Sequence, residues 1–162
     1  MKTNVAIVGG TFDPITVGHE ALIRRTAELF DVVYVTICFN SEKKCFFELN
    51  ERLDILEKTF KDDEKIIPVI HQGLIADFAK DKNAVIVKGL RYSSDFDYEH
   101  LQAESNYMIN GVETLFLPSR GDCTFITSSL IRELIKAGKP FEKYVPQKSI
   151  EIIKSYIQTG NK

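Results

Sequence analysis

Apolar residues fall along the chain in two alternating rhythms. Short β-branched runs come first: Val5 to Val8, Val32 to Phe39, Ile66 to Ile70, Ala84 to Val87 and Glu113 to Leu117. Between them, apolar positions recur at helical spacing. Leu22, Ile23, Thr26, Ala27 and Phe30 mark a helix over 20–30, and Leu53, Leu56 and Phe60 mark one over 50–60. Shorter or more mixed patterns predict helices over 74–79, 95–109, 130–137 and 149–157. Gly138 suits the end of the fifth helix, and Pro140 stops its continuation. The second strand is apolar on both faces, as in a parallel sheet covered on both sides. Pro68 inside the third strand points to a sheet edge. The alternation predicts an α/β fold, a Rossmann-like doubly wound parallel five-stranded sheet with helices on both faces and C-terminal helices. No linker or repeat divides it, so one domain over 1–162 is expected.

Polar chemistry gathers where strands end. The turn from Gly9 to His19 joins a buried strand to a helix and carries glycines, threonines and a histidine. Such a turn offers backbone N–H groups and a helix dipole to an anion. Thr16 is placed to cap the helix, which puts His19 in its first turn. The turn Lys88 to Asp95, the loop Ser119 to Ser129 and the pair Lys43–Lys44 also follow strands. In a doubly wound sheet all four loops should converge on one cleft beyond the carboxyl ends of the strands.

Composition narrows the partners. The chain has 162 residues and a net charge of -2, which argues against a general nucleic-acid or anionic-membrane binder. Its longest apolar run, Val32 to Phe39, is too short to cross a bilayer. The absence of a signal-peptide pattern, together with three cysteines lacking C-x-x-C spacing, predicts a cytoplasmic protein with reduced thiols. No cluster has zinc spacing, and no serine or cysteine has a nucleophile's context. His71 at a strand end and His100 beside Glu99 read as structural or surface histidines.

The first turn ends in T-x-G-H, and Ile126-Thr127-Ser128-Ser129 opens a late helix with Arg132 one turn on. In both respects the chain resembles the nucleotidyltransferases of the HIGH superfamily. The full set is T-F-D-P-I-T-x-G-H, K-K before an F-x-x-x-E-R helix, G-L-R, and D-F-x-Y-E. It resembles the bacterial phosphopantetheine adenylyltransferases along essentially the whole chain. Nicotinate-nucleotide adenylyltransferases share the first and last motifs but not the G-L-R and D-F-x-Y-E block.

The resemblance implies adenylyl transfer from ATP to 4′-phosphopantetheine, giving dephospho-coenzyme A and pyrophosphate. It implies catalytic roles for His19, Lys43 and Arg91. Thr11, Lys43, Ile75 and Lys88 would bind phosphopantetheine. Thr11, Phe12, His19, Gly89, Leu90, Arg91 and Glu99 would hold ATP, with Cys123, Thr124, Phe125, Ile126, Thr127, Ser128 and Ser129 around its adenine and phosphates. Mg²⁺ would arrive with ATP, without a protein metal cage. Homohexamers and inhibition by coenzyme A are further expectations of the family. Lys88 stands where arginine is usual, Cys45 where proline is usual, Cys123 where an aromatic is common, and Thr127 where serine is usual. Two other readings remain at this point: another phosphorylated acceptor such as nicotinate mononucleotide, or a module that senses ATP or coenzyme A without turnover.

Overall fold

The β-branched runs form strands, and each helical stripe crosses back over them. The computed structural model describes residues 4–39, 44–121 and 123–160. In chain order the elements are β1 (Val5–Gly10), α1 (Val17–Leu29), β2 (Val32–Phe39), α2 (Leu49–Phe60), β3 (Ile66–Gln72), α3 (Ile75–Asp81), β4 (Val85–Leu90), α4 (Ser93–Asn110), β5 (Thr114–Pro118), α5 (Ser128–Lys136) and α6 (Ile150–Gly160). Every pairing in the sheet is parallel, and the strand order is β3-β2-β1-β4-β5. The chain winds outward from β1 to β3, then returns to β4 and winds the other way. The switch between β1 and β4 is where ligands bind in such sheets.

Successive side chains on a strand face opposite ways, so the sheet has two cores. Ala6 and Val8 of β1 join Val33, Val35 and Ile37 of β2 on one face. There they meet Ile23 and Ala27 of α1, Leu56 and Phe60 of α2, Ile131 of α5 and Ile153 of α6. Ile7 and Ile86 face the other way, against Ala79 of α3 and Val112. Tyr156 of α6 donates a hydrogen bond to Asp54 of α2 at 2.5 Å. That bond, with burial, pushes the phenol up to about 12.

Two expectations change. Lys88, Gly89 and Leu90 belong to β4 and not to a turn: they pair with Phe116, Leu117 and Pro118 of β5. Gly89 marks a close approach, since a Cβ there would lie 3.1 Å from Leu22 of α1. The Ser149 to Ile157 helix runs instead over Ile150–Gly160. Pro68 does sit in an outermost strand, opposite Val35. The mixed pattern of α4 also has a structural counterpart: none of its residues is buried, and Leu101 and Met108 are 66% and 84% exposed.

Candidate active site

The β1–α1 turn is built around close approaches. A Cβ on Gly9 would fall 2.3 Å from the end of the Ile75 side chain, which would have to shift to admit it. Phe12 takes a left-handed backbone conformation with φ 49, and its ring is buried against the histidine, edge-on at 5.2 Å. The Asp13–Pro14 peptide is cis. Thr16 then caps α1: its hydroxyl accepts from the His19 N–H at 3.2 Å. The His19 ring reaches back, and its Nδ1 accepts from the Thr16 N–H at 3.1 Å.

That last bond sets the state of the ring. A backbone N–H can only donate, so Nδ1 carries no proton and the proton of a neutral ring sits on Nε2. Burial, and then the charge of Arg91, push the His19 pKa down to about 4. The ring is therefore a neutral N–H donor at ordinary pH, the form that the helix N-terminus also favours.

Two cavities meet at this ring. The first, of about 350 Å³, lies over the ends of β1 and β4. Val8, Leu22, Val87 and Ile126 give it an apolar floor, and Arg25, Lys88, Arg91, Glu99 and Arg120 form a charged rim. Gly18, Gly89, Ser119, Cys123, Thr127 and Ser128 also line it. The second, of about 730 Å³, is lined by Thr11, Asp13, Lys44, Cys45, Phe46, Ser129, Arg132 and Lys136. Phe12, His19 and Ser128 stand in the walls of both. The first chamber has an apolar floor beneath a charged rim; the second is lined by Lys44, Arg132 and Lys136 with the hydroxyls of Thr11, Ser128 and Ser129, and Asp13 is its one carboxylate among the described residues.

Charged contacts organise both rims. Lys88 pairs with Glu99 at 3.4 Å, and Arg91 with Asp95 at 3.4 Å. Thr127 caps α5, accepting from the Leu130 N–H at 3.1 Å. The Ser128 hydroxyl donates to the Pro14 carbonyl at 2.8 Å. Arg132 donates to the Asp13 carbonyl at 2.8 Å and to the Ser129 hydroxyl at 3.0 Å. The late helix is thus stapled onto the first turn.

The structure brings together Thr11, Phe12, His19, Lys88, Gly89, Arg91, Glu99, Cys123, Ile126, Thr127, Ser128 and Ser129 around the two chambers. Ile75 packs over Gly9 and is not in either wall. Leu90, Thr124 and Phe125 are not in the walls either, and Phe125 is 57% exposed. Lys43 lies outside the described residues. His71 meets the Leu74 carbonyl at 3.1 Å and stacks on Phe78 at 4.8 Å, and His100 is an exposed partner of Glu104. All three cysteines are free thiols.

Sequence reasoning passed over Asp13, Leu22, Arg25, Ser119, Arg120 and Lys136, and quoted Arg132 without a role. Position could have found three of them. Arg132 lies one turn beyond Ser128, and Leu22 and Arg25 lie three and six residues beyond His19 on α1. Among the described residues no group of three or more His, Cys, Asp or Glu is placed to hold a metal. No helix of the described residues is long and apolar enough to cross a membrane.

Residues 7–134 match the model of the cytidylyltransferase-like family. A curated relative from Flavobacterium johnsoniae, a phosphopantetheine adenylyltransferase, is 42% identical over 142 residues, covering 87% of this chain and 93% of the relative. Two solved structures of Plasmodium falciparum nicotinic acid mononucleotide adenylyltransferase share the fold. The one complexed with NaAD has a TM-score of 0.68 at 19% identity, covering 96% of this chain and 97% of that one. The one complexed with APC has a TM-score of 0.64 at 20% identity, covering 96% of each.

Proposed function

The chain belongs to the phosphopantetheine adenylyltransferases, within the cytidylyltransferase-like family, and on that premise we propose that it transfers the adenylyl group of ATP to 4′-phosphopantetheine. The products are dephospho-coenzyme A and pyrophosphate. The observation that carries the reading is the place of His19, in the wall shared by the two chambers. In ATP the α-phosphate is the link between a flat, largely apolar nucleoside and a polyanion. The first chamber, with its apolar floor, receives the adenosine; the second, with its lysines, arginine and hydroxyls, receives the β- and γ-phosphates; and the α-phosphate rests at the ring between them.

The reaction asks little covalent chemistry of the protein. An oxygen of the phosphopantetheine phosphate attacks the α-phosphorus in line, and the bond from that phosphorus to the bridging oxygen of pyrophosphate breaks. The nucleophile is already ionised at neutral pH, so no general base is needed and no enzyme-bound covalent intermediate forms. Catalysis is alignment and charge stabilisation. The Nε2–H of His19 donates to the α-phosphate as negative charge builds there. Arg91 and Lys43 offset the same charge, and Ser128, Ser129, Lys44 and Arg132 hold the departing pyrophosphate. Glu99 and Gly89 face the nucleoside. On the acceptor side, Thr11, Lys43 and Lys88 hold the phosphate, and Ile75, above Gly9, meets the pantetheine arm. Mg²⁺ enters as part of the ATP complex. The carboxylate in the second chamber, Asp13, already accepts two backbone N–H groups, which suits a metal held by phosphate oxygens instead of a protein cage.

The exposed apolar residues of α4 support burial against another copy of the chain, and a homohexamer in the cytoplasm, restrained by coenzyme A, completes the proposal. Incubating the protein with ATP, Mg²⁺ and either phosphopantetheine or nicotinate mononucleotide, while pyrophosphate is measured, tests the reaction. Release with phosphopantetheine is expected; release with only the other acceptor, or with neither, sinks it. Sedimentation tests the assembly.

A further inference from the structure

Two buried charges have no substrate contact assigned above. Asp13 and Arg52 are each 4% exposed. A charge removed from water persists only with close partners, and both residues find backbone partners on the segment leading out of the second chamber, while the Asp13 carboxylate also faces the Arg132 guanidinium at 3.9 Å. The Asp13 carboxylate accepts from the N–H of Phe46 and from the N–H of Phe47, each at 2.8 Å. The Arg52 guanidinium donates to the Phe47 carbonyl at 3.1 Å and to the Thr11 carbonyl at 2.9 Å. Both backbone polar groups of Phe47 are therefore held by charged side chains, and its ring is fully buried. Arg52 also ties that anchor to Thr11 in the first turn. Lys44 stands three residues before Phe47, so its Cα lies within about 11 Å of the anchor. It lines the second chamber beside Cys45 and Phe46.

We propose that Asp13 and Arg52 form a clamp that positions Lys44 in the second chamber, where the lysine meets the pyrophosphate end of the nucleotide. Both are positioning residues: they act through the backbone from Phe46 to Phe47 and through Lys44. The clamp rests on the nucleotide reading of that chamber given above. It explains why a carboxylate stands in the wall of a cavity that otherwise gathers cations. On charge alone, Asp13 opposes an anion there; as a clamp it serves the anion by placing a cation.

The two effects have opposite signs, which makes the test decisive. Binding of Mg²⁺-pyrophosphate is measured by calorimetry for wild type, Asp13→Asn, Lys44→Ala and the double variant. Removal of a negative charge would tighten binding if local charge were the whole effect. The clamp instead weakens it by about tenfold, in the range of couplings between neighbouring groups. Lys44→Ala gives a similar loss, and the double variant is no worse than the weaker single. Tighter or unchanged binding in Asp13→Asn, or losses that add in the double variant, overturns the clamp. Arg52→Lys keeps the charge but cannot reach both carbonyls. It should weaken pyrophosphate binding in the same Lys44-dependent way, and it carries the test where Asp13→Asn does not fold; wild-type affinity in Arg52→Lys counts against the clamp. Wild-type protein that binds pyrophosphate yet releases none from ATP and phosphopantetheine refutes the transfer reaction and leaves the clamp standing. Wild-type protein that binds no pyrophosphate overturns the clamp and the chamber assignment together.

Discussion

Helices α1 and α5 start in the same way and end up with different tasks. Each follows a loop at the same edge of the sheet, and each is capped by a threonine, Thr16 or Thr127, whose hydroxyl accepts from the N–H three residues on. The difference lies in that third residue. In α5 it is Leu130, and the first turn presents Ser128 and Ser129, braced by Pro14 and Arg132. In α1 it is His19, whose ring returns to accept the Thr16 N–H. A capping box normally uses Glu or Gln for this return bond. A histidine in that place converts a device for stabilising a helix into one that aims a ring and selects its tautomer.

The largest way to break the contrast is to remove the ring. His19→Ala should lower kcat by about 10²–10³, the scale of losing one preorganised donor. Steady-state kinetics at saturating ATP check this, and nearly unchanged turnover removes His19 from the mechanism. Thr16→Val strikes the cap and the aim together. It should cost about 1 kcal/mol of stability and lower kcat on the order of tenfold through misplacement of the ring. The matching change at the other helix, Thr127→Ala, should cost a similar ~1 kcal/mol and raise the KM for ATP, because Thr127 lines the first chamber, while kcat falls less than in Thr16→Val. Denaturant midpoints and kcat, measured side by side on the two variants, show whether the caps differ only in what stands three residues on.

The smallest effect is a pH dependence. The His19 pKa lies at about 4 in the folded protein against 6.5 for a free imidazole. The unfolded chain takes up a proton as pH falls through that window, and the folded chain does not. The His19 contribution to stability is therefore fully present above about 6.5 and lost progressively toward about 4. Urea midpoints across that range should fall with pH in wild type, and less steeply in His19→Asn. Turnover should be flat across neutral pH, because the ring does not titrate there.

Much of the fold was legible because its signals are local. The strands are β-branched runs, the edge strand is marked by Pro68, and the Thr16 cap is written in four residues. Where the reading failed, a residue type had two uses. Gly89 between Lys88 and Arg91 looks like a turn, yet its missing side chain makes room for Leu22, which is far away in sequence. The convergence of the polar loops followed from topology. The clamp did not: Asp13 reaches Phe46 and Phe47 across 33 and 34 residues, and Arg52 reaches Thr11 across 41. No periodicity reports such contacts, so Asp13 and Arg52 each read only as one letter of a motif.

Pro68 has a partner at the opposite margin of the sheet. The outermost strands, β3 and β5, each contain a proline, Pro68 and Pro118, while β1, β2 and β4 contain none. A proline cannot donate a hydrogen bond to an incoming strand, so both margins interrupt the ladder that a foreign chain would extend. The same five strands that carry the site are in this way discouraged from growing into a fibre.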